Sequence, residues 1–186
     1  ALHEACYRNQ KDVVKSLLEK RVDVNAQDNN GYTALHRASD AQDIIKLLAS
    51  KADLTIRDQD GRTALHDVSF RGTVQSVKTL ITNGADVNVK AKDGSTPLHE
   101  ACKRGVDIKN IATILCKAKA DINAKDNQGR TPLHVALENR DGNGIEFLID
   151  EGADIVVADN RGRTPLHIAM SMSNKEACNL LVNKGA

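Results

Sequence analysis

Six histidines occupy one register along this chain of 186 residues, and each follows a leucine. His3, His36, His66, His99, His134 and His167 are spaced 33, 30, 33, 35 and 33 residues apart. Five of them have Thr three residues upstream and Gly five upstream, and all three prolines (Pro97, Pro132, Pro165) fall in the same phrase. A period near 33 means that one supersecondary unit is copied along the chain, stacked so that each copy touches only its neighbours. Such a chain folds as one continuous array. The histidines are then structural fixtures used six times, and no metal or catalytic cluster is expected of them.

Within a copy the local chemistry reads as helix, turn, helix, hairpin. In residues 129–161, Thr131 can cap a helix with its hydroxyl, and Pro132 suits the first helical position, where no N–H is needed. Leu133, Ala136 and Leu137 make the apolar side of a short helix, and Ile145, Phe147, Leu148 and Ile149 mark a second. Gly152 offers a left-handed stop, and Asp159-Asn160-Arg161-Gly162 supplies turn residues. Aromatics are only 2% of the chain, so the core must be built from Leu, Ile, Val and Ala.

Gly162-Arg163-Thr164-Pro165-Leu166-His167-Ile168-Ala169 and Gly84-Ala85-Asp86-Val87-Asn88 give the chain its family likeness. It resembles the ankyrin-repeat family over nearly its whole length. Four complete copies (31–60, 61–93, 94–128, 129–161) and two partial ones (1–30, 162–186) make a single array. The resemblance implies an all-α dominated solenoid of helix-turn-helix units joined by β-hairpin loops. It also implies Thr–His bonds that tie the helix starts together, and a concave face of hairpin tips and first helices that binds other proteins. Some arrays of this family are hydroxylated at a hairpin Asn with a Leu eight residues upstream; Asn25, Asn88 and Asn123 meet that spacing with Leu17, Leu80 and Leu115. The main role expected of these asparagines is to bond the backbone of their hairpins.

Agreement between copies reports the scaffold, so disagreement at surface positions is where a binding specification can lie. Four residues before each His stand Tyr32, Arg62, Ser95, Arg130 and Arg163. Four and five after it stand Tyr7-Arg8, Phe70-Arg71 and Lys103-Arg104, giving way to Glu138-Asn139 and Ser171-Met172. Three of the four aromatics thus fall on the expected concave face, beside a basic stripe of Arg8, Arg62, Arg71, Lys103, Arg104, Arg130 and Arg163. Tyr and Arg are enriched at interface hot spots. The competing reading is that these arginines cover apolar surface and pair with neighbouring carboxylates such as Asp58, Asp60, Asp93 and Glu100.

Three irregularities are also expected to matter. Copy 31–60 lacks three residues between His36 and Ile44, copy 94–128 has two extra around Lys103 to Asn110, and the helix-stopping Gly is replaced by Arg21, Lys51 and Lys119. A side chain held at positive φ costs about 1 kcal/mol, so the N-terminal half should be less stable than 129–186.

The function class follows from what is present. The chain carries no phosphate loop, HExxH, GxSxG or GxGxxG, so no catalytic, cofactor or metal site is expected. With 26 basic and 25 acidic residues, nothing draws it to nucleic acid or an anionic membrane. The four cysteines lack CxxC spacing and suit a reducing compartment, intracellular and cytoplasmic or nuclear. The reading is a monomeric, non-catalytic scaffold binding a protein or peptide with apolar and acidic side chains. The alternative is a recruiting or autoinhibitory arm of a larger enzyme or channel, since the sequence opens and closes inside a repeat.

Overall fold

The computed structural model describes residues 1–105 and 108–186. They form twelve helices in six consecutive pairs, with no strand among the described residues. The first helices are α1 (Leu2–Tyr7), α3 (Ala34–Arg37), α5 (Ala64–Arg71), α7 (Pro97–Lys103), α9 (Pro132–Asn139) and α11 (Pro165–Ser171). The second helices are α2 (Lys11–Glu19), α4 (Gln42–Leu48), α6 (Val74–Thr82), α8 (Ile108–Lys117), α10 (Gly142–Asp150) and α12 (Lys175–Asn183). First helices pack on first helices and second on second, giving two parallel rows. The core lies between the rows, where Leu35, Leu65, Leu98 and Leu133 meet Leu48, Leu80, Leu115 and Leu148, all essentially inaccessible.

Five of the six first helices, α3, α5, α7, α9 and α11, begin on the Thr-x-x-His phrase. In α5 the Thr63 backbone N–H donates to His66 Nδ1 at 3.0 Å, and the Thr63 hydroxyl sits 3.0 Å from the same nitrogen. A backbone N–H can only donate, so Nδ1 is the bare nitrogen and Nε2 carries the proton. Nε2–H then donates to the Ser95 carbonyl of the next repeat at 3.2 Å. The same link joins His36 to Arg62 O, His99 to Arg130 O and His134 to Arg163 O, at 3.2, 3.0 and 3.1 Å. His3 reaches Tyr32 O at 2.9 Å without an upstream Thr. One side chain therefore satisfies a helix N-terminus and locks two repeats together.

The loops between pairs are hairpins closed by a four-residue turn ending in Gly, with Asp first in four of them and Ala91 in the fifth. Asp58 Oδ1 accepts from the N–H groups of Asp60 and Arg62 at 2.9 and 2.8 Å. Gly61 holds φ +75°, and a Cβ there would come within 3.1 Å of the Lys92 nitrogen in the next hairpin. Hairpins are joined by Lys92 N–H donating to Asp60 O at 2.8 Å and by equivalents at Gln59, Asn127 and Asn160. A second rung comes from the asparagines: Asn25, Asn88 and Asn123 Oδ1 accept from Asp53, Asp121 and Asp154 N–H, each at 2.8 Å. This corrects the expectation that each asparagine bonds the backbone of its own hairpin: the side chains reach the backbone of the following repeat.

Copy 31–60 departs from expectation in where its missing residues fall. His36 and Leu48 are 12 apart where His66 and Leu80 are 14 apart, so two of the three are lost before the buried leucine. The third is lost at the helix stop. Ala85 N–H closes onto Leu80 O five residues back, whereas Ala52 N–H closes onto Leu48 O four back. The tighter closure needs no left-handed residue. Arg21 and Lys119 do take positive φ, 55° and 68°, but Lys51 does not, which corrects the expectation for Lys51. The two losses before Leu48 leave α3 only four residues long, against eight in α5. Of the stretch expected to hold the two extra residues of copy 94–128, Val106 and Asp107 lie outside the described residues.

Two expectations follow. Replacing Lys119 or Arg21 by Gly should raise stability by about 1 kcal/mol each, while Lys51→Gly should give no gain. Chemical denaturation of the three variants checks this, and an equal gain at Lys51 would contradict the closure described. The second concerns acid. Burial lowers the pKa of His36, His66, His99 and His134, that of His66 from 6.5 to about 4. Between these values the unfolded chain binds protons that the folded chain does not, so stability falls as pH drops from 6.5 towards 4. Asp67, raised from 3.8 to about 6, works in the opposite direction over nearly the same range, but it is one group against four. Net loss of stability over this window should be measurable by denaturation at stepped pH, and His66→Gln should flatten the slope.

Candidate functional site

The side chains that differ between copies gather on the row of first helices and the adjoining hairpin ends. Tyr7 closes α1 and is 66% exposed. Tyr32 follows the first hairpin turn, half-buried, with its ring edge-on to His36 at 5.9 Å. The Arg37 guanidinium lies 4.3 Å above the Tyr32 ring and pairs with Asp28 at 2.7 Å. Phe70 and Arg71 end α5, with the Arg71 guanidinium 5.8 Å from the Phe70 centroid.

Because α3 stops a turn early, the row has a notch between the ends of α1 and α5. A cavity of about 170 Å³ fills it, lined by Tyr7, Tyr32, Arg37, Asp40, Asp67 and Arg71 among others. A second, of about 420 Å³, continues towards α7 and is lined by Tyr32, Arg62, Asp67, Phe70, Arg71 and Lys103 among others. Tyr32, Asp67 and Arg71 border both. The three aromatics picked out in the sequence thus border one continuous depression. Arg130 and Arg163 lie further along the array and line neither cavity.

The basic stripe is in place, but most of it is matched by the chain's own carboxylates. Arg62 pairs with Glu100 at 2.9 Å and with Asp67 at 3.5 Å. Lys103 pairs with Glu100 at 2.6 Å and Asp93 at 3.5 Å. Arg130 bridges Asp126 and Glu138 at 2.9 and 3.0 Å, Arg163 holds Asp159 at 2.8 Å, and Arg8 pairs with Glu4. Arg104 donates to the Gly72 carbonyl. Arg71 is the stripe residue left with neither a carboxylate nor a carbonyl partner among the described residues.

Two acids in this network behave differently. Burial alone would raise the Glu100 carboxyl, but the Lys103 hydrogen bond and the Arg62 charge outweigh it and hold it below the usual range. Burial pushes Asp67 up to about 6, Asp58 and Glu100 reinforce that shift, and Arg62 and Arg71 fail to cancel it. Asp67, Asp40 and Arg37 were not singled out in the sequence. The signal was available for Asp67 and Arg37, which each follow a register histidine. Elsewhere, burial raises the Cys6 thiol to about 12 and raises Cys102 further, so neither presents a ready thiolate. No group of three or more metal-ligating side chains and no helix long and apolar enough to cross a membrane occurs among the described residues.

Comparison with known proteins agrees with this geometry. A protein-family model described as ankyrin repeats (3 copies) matches residues 2–91, 65–159 and 127–186. The chain is similar to the crystal structure of the human ASB11 ankyrin repeat domain, at 29% identity and a TM-score of 0.90, covering 100% of this chain and 84% of that one. It is also similar, at 33% identity and a TM-score of 0.84, to a chain in the structure of the predatory endopeptidase Bd0816 from Bdellovibrio bacteriovorus in complex with the immunity protein Bd3460. That match covers 99% of this chain and 97% of the other. The search of curated proteins gives no match. Repeat register, paired helix rows and family match agree: the chain belongs to the ankyrin-repeat family.

Proposed function

We propose that this array is a non-catalytic protein-interaction module that seats a protein or peptide in the groove along the first helices of residues 1–130. Ankyrin repeats are generally protein-binding modules, and one similar chain comes from a protein–protein complex. The observation that carries the reading is the placement of Tyr7, Tyr32 and Phe70 around two adjoining cavities in a chain with four aromatics in all. Aromatic rings give large contact area at low entropic cost, and the two Tyr add a polar tip, which is why such residues anchor interfaces.

In this reading Tyr7, Tyr32, Phe70 and Arg71 are the principal contacts, and apolar side chains of the partner fill the depression. Arg71, the stripe residue without a carboxylate or carbonyl partner among the described residues, is left free to bond polar groups of the partner. Arg8, Arg62, Lys103, Arg104, Arg130 and Arg163 form a rim whose charges are already satisfied within the chain, apart from what a partner displaces. Rim pairs of this kind add little affinity. Four free cysteines support an intracellular, cytoplasmic setting, and the array is taken to act as a monomer.

The test is substitution on two faces, with a binding partner titrated calorimetrically. Tyr32→Ala and Phe70→Ala should each cost about 2 kcal/mol or more in binding. Lys15→Ala and Lys78→Ala, on the exposed side of α2 and α6, should cost a few tenths of a kcal/mol at most. Equal losses on both faces would refute the groove.

A further inference from the structure

We propose that the groove has a seat for one cationic side chain, a Lys or Arg of the bound protein, at Asp67 between the two cavities. This rests on the groove reading above and adds the chemistry of the occupant.

The argument comes from comparing one register position in two successive repeats. Glu100 and Asp67 each follow their repeat's histidine, on α7 and α5. Glu100 is fully served: Lys103 Nζ lies 2.6 Å from Oε1, Arg62 Nη2 donates to Oε2 at 2.9 Å, and the Ser95 hydroxyl donates at 3.0 Å. Asp67 has a single ion pair, Arg62 Nε at 3.5 Å from Oδ1, and its buried Oδ2 has no hydrogen-bond partner. The reason is in the sequence. The ammonium that serves Glu100 comes from Lys103, four residues after His99, and the residue four after His66 is Phe70. An aromatic ring stands where the cation would be, so the α5 carboxylate, one methylene shorter than Glu100, shares its register position and lacks that partner.

The surroundings fit a cation supplied from outside. Tyr32 and Asp67 border both cavities, Tyr7 closes one side and Phe70 the other. The Tyr32 ring already takes a guanidinium on its face, from Arg37, so this lining stabilises planar cations. Four cations of the chain line the cavities, and Arg62 and Lys103 are both engaged by Glu100, at 2.9 and 2.6 Å. Arg37 is neutralised by Asp28 at 2.7 Å, and Arg71 faces Phe70, while Asp40 adds a second, exposed carboxylate to the same notch. The carboxyl of Asp67 stands above its ordinary range chiefly because it is buried, with Asp58 and Glu100 adding to the shift and Arg62 and Arg71 opposing it, so a further cation beside it would favour its charged form. A partner Lys or Arg at this point would do for Asp67 what Lys103 does for Glu100. A partner acid would have to sit against Asp40 and Asp67.

The probe is a random dodecapeptide display library selected on the whole chain, followed by synthetic copies of the winners. Winners whose binding drops with Tyr32→Ala should share a Lys or Arg. Replacing that residue by norleucine, or Asp67 by Asn, should weaken binding about tenfold, and doing both should cost little more. Phe70→Lys, which restores the internal cation, should lower the Asp67 carboxyl titration followed by NMR and reduce the preference for cationic peptides. Winners sensitive to Tyr32→Ala but without a required cation, or indifferent to Asp67→Asn, would overturn the cation seat and leave the groove standing. Winners indifferent to Tyr32→Ala, or no winners, would overturn both.

Discussion

The imidazole bridge between repeats is the contact on which the rest of the architecture depends. A buried histidine without partners would be costly, yet here Nδ1 is filled by a Thr backbone N–H and hydroxyl, and Nε2–H by a carbonyl of the next hairpin. That single tautomer fixes the start of a helix and the register of the following repeat together. The apolar rows can then be assembled from small side chains, because alignment is set by directional bonds and the leucines only have to fill space. It also explains why the ring nitrogens are unavailable for chemistry in the four repeats where all three bonds are made. A residue type usually suspected of catalysis is here consumed by the scaffold.

Charge is handled in the same manner, by bonds that cross repeat boundaries. Arg62 of the third copy holds Glu100 of the fourth, and Arg163 of the sixth lies 4.0 Å from Glu138 of the fifth. The first serves a desolvated carboxylate, so its main effect is to permit burial, whereas the second is a third exposed on both sides and adds little. A count of arginines on one face therefore overstates the positive field a ligand would meet. What distinguishes the groove is the place where the pairing is incomplete.

Much of the scaffold was legible because it is repeated. The capping Thr, the register His, the N1 prolines and the left-handed glycines each recur, and recurrence separates a structural role from coincidence. The second-helix stops at Arg21 and Lys119 were legible by the same comparison, whereas Lys51 was not, since a deletion moved the closing bond to a shorter ring. The location of Tyr7, Tyr32 and Phe70 followed from register alone. Their electrostatic surroundings did not. Whether Arg62 faces solvent or Glu100 depends on side-chain reach across 38 residues of sequence, and no one-dimensional periodicity encodes that distance. The positive φ of Arg140, in the turn after α9, was missed because no glycine marks that position in its copy.

The irregular copy and the candidate site coincide, and one cause accounts for both. Loss of two residues before Leu48 shortens α3 to a single turn while the hairpin and the histidine link on either side keep their spacing. The stack therefore does not collapse around the gap. The neighbouring first helices retain their length, and their terminal side chains, Tyr7 on one side and Arg71 on the other, become the walls of a notch. A deletion in a globular core would be filled by relaxation of the surroundings. In a solenoid the neighbours are held by their own interfaces, so the missing turn persists as a cavity at a defined place. Local rules in natural proteins are often broken where function is gained. Here the break lies in the repeat that carries Tyr32, between Tyr7 and the under-served carboxylate of Asp67, and under the proposed groove reading this coincidence makes the notch the place best suited to discriminate between partners.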